Sequence, residues 1–168
     1  MVERSMATRD NVALLMVSGG SDSTALAYLA ADAVAAGRLG GLAMLHVTHR
    51  LRGAASDGDA AFVAALAECL GIPLFVCDID VAQLVRSSGG NMEAIARAER
   101  YRAARGALES TCLHMGFPLE AGRIFTAHTA DDRVENFYMR SIVGTGPGGF
   151  RSMLYRNGPV VRPLLDVT

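Results

Sequence analysis

The run Val12-Ala13-Leu14-Leu15-Met16-Val17 contains no polar residue and is followed at once by Ser18-Gly19-Gly20. A strand with one wet face alternates apolar and polar residues, whereas a continuous apolar run suits a strand covered on both faces, as in a parallel sheet. The two glycines permit a tight turn, and Asp22 to Ala36, rich in Ala and Leu, reads as a helix that stops at Gly37. The pattern recurs: Gly41 to Val47 is a strand, Ser56 to Leu70 a helix, Pro73 to Ile79 a strand. Met92 to Met115 is a long helix with Asn91 as N-cap and Gly116 as stop, Arg123 to Ala127 a strand, and Ala130 to Val143 a helix ending at Gly144. Strands alternating with helices at this spacing predict βαβ crossovers, hence an α/β fold with a parallel sheet and helices on both faces. Residues 1–11 read as a frayed tail, 12–150 as the domain, and 151–168 as an extension, too short for another βα unit, that leads toward domains absent from this chain.

Composition narrows the chemistry. With 168 residues, 51% hydrophobic and 20% charged, the chain is globular and long enough for a core that needs no disulfide or structural metal. Its apolar runs fall far short of the ~20 residues that span a bilayer, so no membrane partner is expected. The three cysteines, Cys69, Cys77 and Cys112, form no CxxC pair and read as small core residues of a cytoplasmic protein. All sixteen basic residues are arginine. A Walker A loop and a Schiff-base mechanism both require lysine and are excluded. Although the net charge is -1, five arginines lie between Arg86 and Arg105 and five between Arg133 and Leu165. Either stretch is a candidate surface for phosphate or RNA, or simply a solvated face.

Four segments carry candidate chemistry. In Ser18-Gly19-Gly20-Ser21-Asp22-Ser23, consecutive backbone N–H groups, a helix N-terminus and three hydroxyls form a phosphate cradle without lysine. This is the expected ATP loop. Asp22 beside phosphates requires an intervening cation, which Mg²⁺ supplies; the alternative is an ordinary helix-capping aspartate. In Thr126-Ala127-His128-Thr129-Ala130-Asp131-Asp132-Arg133-Val134-Glu135-Asn136, acids gather where a strand runs into a helix, the side of an open parallel sheet on which ligands bind. Asp131, Asp132 and Glu135 suit a metal or a cationic amine, or merely the first turn of a helix. His46 and His49 with Arg50 and Arg52 gather at the carboxyl end of another strand and suit ATP or a polyanion. Lastly, Asn91 to Tyr101 places Glu93 and Arg97 at i,i+4, which is also the spacing of a surface ion pair.

In order, SGGSDS, HVTHRLRG, NMEAIARAERY, AHTADDRVEN with GTGPGG, and a closing Arg162-Pro163-Leu164-Leu165 resemble the PP-loop ATPase domain of the tRNA(Ile)-lysidine synthase family, over Val12 to Leu165. The resemblance implies a Rossmann-like adenine-nucleotide fold of the PP-loop type. The implied enzyme adenylates the wobble cytidine of a tRNA(Ile) with a CAU anticodon, releases pyrophosphate, and then joins L-lysine with loss of AMP. Carried over by motif, Ser18 to Ser23 form the ATP loop. His128, Asp131, Asp132 and Glu135 with Asp22 form the reaction centre, and Asp22 and Asp131 hold Mg²⁺. His46, His49, Arg52, Arg97 and Arg133 are weaker candidates for substrate contact. The chain departs from the pattern at Thr48, Arg50, Thr129, Arg133 and Asn136, which puts lysine recognition more in question than ATP handling. A thiolation-type PP-loop enzyme and a nucleotide-binding module without turnover are the competing expectations. A homo-oligomer is compatible with all three.

Overall fold

The computed structural model describes residues 6–48, 54–143 and 153–168. In chain order the elements are β1 (Val12–Met16), α1 (Ser21–Ala35), β2 (Gly41–Thr48), α2 (Ala54–Leu70), β3 (Leu74–Asp78), α3 (Val81–Ser88), α4 (Met92–Met115), β4 (Gly122–Phe125), α5 (Ala130–Val143), β5 (Arg156–Asn157) and β6 (Val160–Val161). The strands form one sheet in the order β3-β2-β1-β4-β6-β5, parallel throughout except for the edge pair β5 and β6.

Strand β1 lies near the middle of the sheet and is covered on both faces, as its unbroken apolar run requires. Residues of one parity, Ala13 and Leu15 with Val17 just beyond, pack with Leu26, Ala27 and Ala30 of α1 and Val63 and Leu66 of α2. Those of the other parity, Val12 and Leu14, pack with Ala104, Leu108 and Cys112 of α4. Each leucine of β1 is fully buried, which contributes roughly 1.5–3 kcal/mol per side chain. Helix α4 is held at both ends by the residues expected from sequence. The Asn91 carboxamide oxygen accepts from the N–H groups of Glu93 and Ala94, and Gly116 takes a left-handed conformation at the stop.

Connections that step from β1 to β2 to β3 on one side, and return through α4 to β4 on the other, make β1 and β4 the point where strand order reverses. In open α/β sheets a crevice opens at the carboxyl ends of such a pair. Ser18 follows β1 and Thr126 follows β4, so the two motif-bearing turns are neighbours.

Three features differ from the sequence expectation. Helix α3 lies in a stretch where no element is expected; it starts at an Asp80 cap that accepts from Gln83 N–H, and it buries Val81 with Ile79 and Ala96. Val81, Leu84 and Val85 do fall at i, i+3 and i+4, but its eight residues are shorter than the window of about 11–18 residues over which such spacing separates helix from loop. The tail is not frayed at Met6, which is 6% exposed in the core under α1, and the Asn11 side chain donates to the Ala121 carbonyl. Past residue 150, the segment read as an extension supplies β5 and β6 to the same sheet and buries Val161, Leu164 and Leu165. The loop Gly144 to Gly149, expected to be flexible, lies outside the described residues.

The turn into β2 is tight. A Cβ on Gly40 would lie 2.5 Å from the Arg9 carbonyl oxygen and 2.6 Å from the Phe117 ring. Gly40→Ala is expected to destabilise the protein by about 2 kcal/mol, read as a lower urea midpoint with an unchanged m-value.

Candidate active site

A cavity of about 610 Å³ opens at the carboxyl ends of β1, β2 and β4, a volume in the range of small-molecule sites. Its floor is the turn after β1. Gly19 adopts φ +97°, a conformation that side chains with a Cβ rarely take, and a Cβ there would also sit 3.4 Å from the Asp59 carboxylate. Ser23 Oγ donates to the Gly20 carbonyl and accepts from Ser18 N–H, closing the loop on itself. Gly20 occupies the N-cap of α1 and supplies no side-chain cap. The first-turn N–H groups of α1 therefore keep their partial positive charge for a ligand. Ser18, Gly20, Ser21, Asp22 and Ser23 all line the cavity.

The second wall begins at β2. His46 is 4% exposed, and its Nδ1 lies 2.8 Å from the Val17 carbonyl. A carbonyl only accepts, so Nδ1 carries a proton and donates it to Val17. This bond ties the end of β2 to the residue that precedes the phosphate turn. The Thr48 hydroxyl is held by Asp78 of β3. From α4, Arg97, Arg100 and Tyr101 face the cavity at i, i+3 and i+4, with the Arg97 guanidinium 5.2 Å from the Tyr101 ring centroid.

The third wall is the turn from β4 into α5. Thr129 begins the helix, and the Asp132 carboxylate accepts from its N–H at 2.7 Å and from its hydroxyl at 3.3 Å. This arrangement resembles a capping box. It draws Asp132 toward the cavity, which that side chain lines together with His128. His128 Nδ1 is 2.9 Å from Thr126 Oγ1. Burial, and then the Arg162 charge, push the His128 pKa below its usual 6.5, with Asp132 opposing them, so the imidazole is neutral at neutral pH.

Of the residues singled out from sequence, the cavity gathers Ser18, Gly20, Ser21, Asp22, Ser23, His46, Arg97, His128 and Asp132. Asp131 and Glu135 are exposed and lie outside the lining, because the inward direction of this helix is taken by Asp132. Arg133 points to the C-terminal segment, 3.5 Å from Asp166 and 5.9 Å from the Tyr155 ring centroid. His49 and Arg52 lie outside the described residues. The cavity also includes Asp59, Arg100 and Tyr101, which were not singled out. Arg100 and Tyr101 carry a readable signal, the i+3 and i+4 spacing from Arg97. Asp59 does not, being one acid in an alanine-rich helix.

No three His, Cys, Asp or Glu side chains cluster as a metal cage among the described residues. That is compatible with Mg²⁺, which is usually held by one or two carboxylates together with substrate phosphates. Asp22 and Asp59, which line the cavity beside the phosphate turn, suit that role.

Because His128 is held neutral in the fold, the unfolded chain takes up its proton more readily as pH falls from about 6.5. The stability associated with the neutral ring is present above that pH and lost below it. His128→Gln is therefore expected to show a smaller drop in urea midpoint between pH 7.5 and pH 5.5 than the unaltered protein.

The model of the PP-loop domain matches residues 2–168. Among curated relatives, a tRNA(Ile)-lysidine synthase of Thermus thermophilus is 42% identical over 156 residues, covering 92% of this chain and 27% of that protein. The enzyme of the same name from Chlorobaculum tepidum is 34% identical over 170 residues, covering 100% of this chain and 48% of the relative. The chain thus spans between about a quarter and a half of the length of these relatives. Among solved structures, the U34-tRNA thiolase NcsA of Methanococcus maripaludis superposes with a TM-score of 0.65 at 18% identity, over 97% of this chain and 55% of that one. An NH3-dependent NAD synthetase of Campylobacter jejuni gives 0.54 at 17% identity, over 99% of this chain and 62% of that one. At such identities the structural likeness speaks to the fold alone. The match over nearly the whole sequence, on a sheet that places the SGGSDS turn at the floor of the cavity, assigns the chain to the PP-loop domain family.

Proposed function

We propose that this chain is the catalytic domain of an ATP-dependent tRNA modification enzyme of the lysidine synthase type. It activates the wobble cytidine of tRNA(Ile) bearing CAU and joins L-lysine to it, with release of pyrophosphate and AMP. The observation that carries the reading is the joining of the lysine-free phosphate turn, the α4 arginines and the His128–Asp132 turn in one cavity. The relatives named tRNA(Ile)-lysidine synthase cover the same stretch of sequence.

The chemistry follows from those groups. The N-terminus of α1 and the Ser18, Ser21 and Ser23 hydroxyls take the β and γ phosphates. Held as one unit, those phosphates leave together as pyrophosphate when the cytosine O2 attacks the α phosphorus. Mg²⁺ held by Asp22 and Asp59 would offset the charge that gathers on the departing pyrophosphate. Arg97 and Arg100, exposed on α4, suit the phosphates of the RNA or of the α-phosphoryl group. In the second step a free lysine side-chain amine attacks the activated C2, and AMP leaves with the electron pair of the broken C–O bond. The attacking amine must first lose a proton. In this reading His128 receives it, which its lowered pKa and its position on the cavity wall support, and Asp132 on the same wall attracts the ammonium form. A cytoplasmic location accompanies this reading, since ATP and tRNA meet there. A thiolation reaction is less suited to the cavity: Cys69 is exposed, Cys77 half-buried and Cys112 buried, and none of them lines it.

With ATP, Mg²⁺, lysine and the CAU-bearing tRNA(Ile), the protein is expected to release AMP and pyrophosphate only when that tRNA is present. Release of ADP would overturn the proposal. Asp22→Ala is expected to lower turnover by about a hundredfold or more, with a smaller loss of ATP affinity measured by calorimetry. A binding module without turnover would instead show ATP binding and no tRNA-dependent product.

A further inference from the structure

Arg162 directly follows β6, the strand that pairs with β4. The residue is only 7% exposed. Its Nη1 donates to the Leu154 carbonyl at 2.8 Å, while its Nε is buried with no partner. No carboxylate pairs with its guanidinium among the described residues. From Gly144 to Leu165 the sequence contains no Asp or Glu. The next acid, Asp166, is engaged by the Tyr155 hydroxyl and by Arg133. A buried cation without a counter-charge is costly, and among the described residues no carboxylate supplies one. A ligand anion would supply one.

The location restricts which anion. Strand β6 lies next to β4 and β4 next to β1, so Arg162 is two strand spacings, about 10 Å, across the sheet from the end of β1 that leads into the phosphate turn. It lies close enough to His128 to act on that ring's charge, with Asp132 acting in the opposite sense. A molecule lodged beside His128 would therefore meet a guanidinium toward β6 and a carboxylate on α5. The triphosphate has its own cradle after β1. Arg162 is more than nine-tenths buried and is not one of the residues that line the cavity, so its guanidinium would meet only a small anion extending past His128, such as a carboxylate, and not a phosphate of a polynucleotide backbone. With Nη1 committed to Leu154, the guanidinium edge containing Nε remains for the two-point pairing that arginine makes with carboxylates.

We infer that Arg162 holds the carboxylate of a free amino-acid substrate in a subsite beside His128, with Asp132 facing the amine end of the same molecule. The inference rests on the proposed use of a free amino acid as acceptor and adds the residue that selects it.

The test is calorimetric titration of the protein, in Mg²⁺ and a non-hydrolysable ATP analogue, with L-lysine and with lysinamide, which lacks the carboxylate. Lysine is expected to bind at least tenfold tighter than lysinamide. Arg162→Gln is expected to bring the two to within about twofold of one another, with affinity for the ATP analogue unchanged, and Arg162→Lys to restore part of the preference. A lysine-to-lysinamide ratio that survives in both variants overturns the inference and leaves the proposed function standing. So does a loss confined to tRNA binding, which would identify the anion as an RNA phosphate. A parallel loss of affinity for the ATP analogue would mark Arg162 as structural and also overturn it. If the unaltered protein binds neither lysine nor lysinamide, the proposed function falls along with it. Should Arg162→Gln fail to fold, equal binding of lysine and lysinamide by the unaltered protein would still overturn the inference.

Discussion

Everything at the cavity depends on β1 being buried on both faces. The strand has no solvent side, so α1 and α2 must cover one parity of its side chains and α4 the other. Covering both faces with parallel connections makes the chain reverse direction across the sheet, and the reversal places the ends of β1 and β4 side by side. The phosphate turn and the His128–Asp132 turn thus become neighbours because of how hydrophobic surface is packed about 15 Å of strand. The site needs no interaction of its own to bring them together.

How much of this was legible in the sequence follows the same division. Elements that bury a long periodic or continuous apolar stretch were readable, and α4 and α5 begin and end at the expected residues. What was not readable depends on tertiary partners. Helix α3 is short and draws its stability from Ile79 and Ala96, which lie outside it. Strands β5 and β6 have two residues each and exist because β4 offers an edge to pair with. At the site, the motifs indicated which segments meet but not which side chains turn inward. Asp131, Asp132 and Glu135 are equivalent as letters, and only the hydrogen bonds from Thr129 to Asp132 separate them. Asp59 becomes visible only when α2 is laid against Gly19.

The cavity also distributes its charge unevenly. Carboxylates at Asp22 and Asp59 lie by the phosphate turn, guanidinium groups at Arg97 and Arg100 line the α4 wall, and Asp132 and Arg162 act on His128 with opposite signs. A chain without lysine meets an anion with backbone dipoles, hydroxyls or arginine. Dipoles are fixed by the fold, and arginine's planar fork is directional, so the site discriminates by geometry more than by a mobile point charge.

The N-terminus of α1 has a consequence for the protein's energetics as a whole. A helix whose first turn lacks a side-chain cap is incomplete until something accepts its hydrogen bonds. On the proposed function, a bound triphosphate would stand in for the missing cap, and the nucleotide would then be a component of the secondary structure as well as a reactant. Since α1 covers one face of β1, filling that cap strengthens the same packing that supports the sheet. By mass action the folded population would then depend on the surrounding nucleotide concentration, and a cell depleted of ATP would hold this domain nearer to its unfolding threshold than one well supplied.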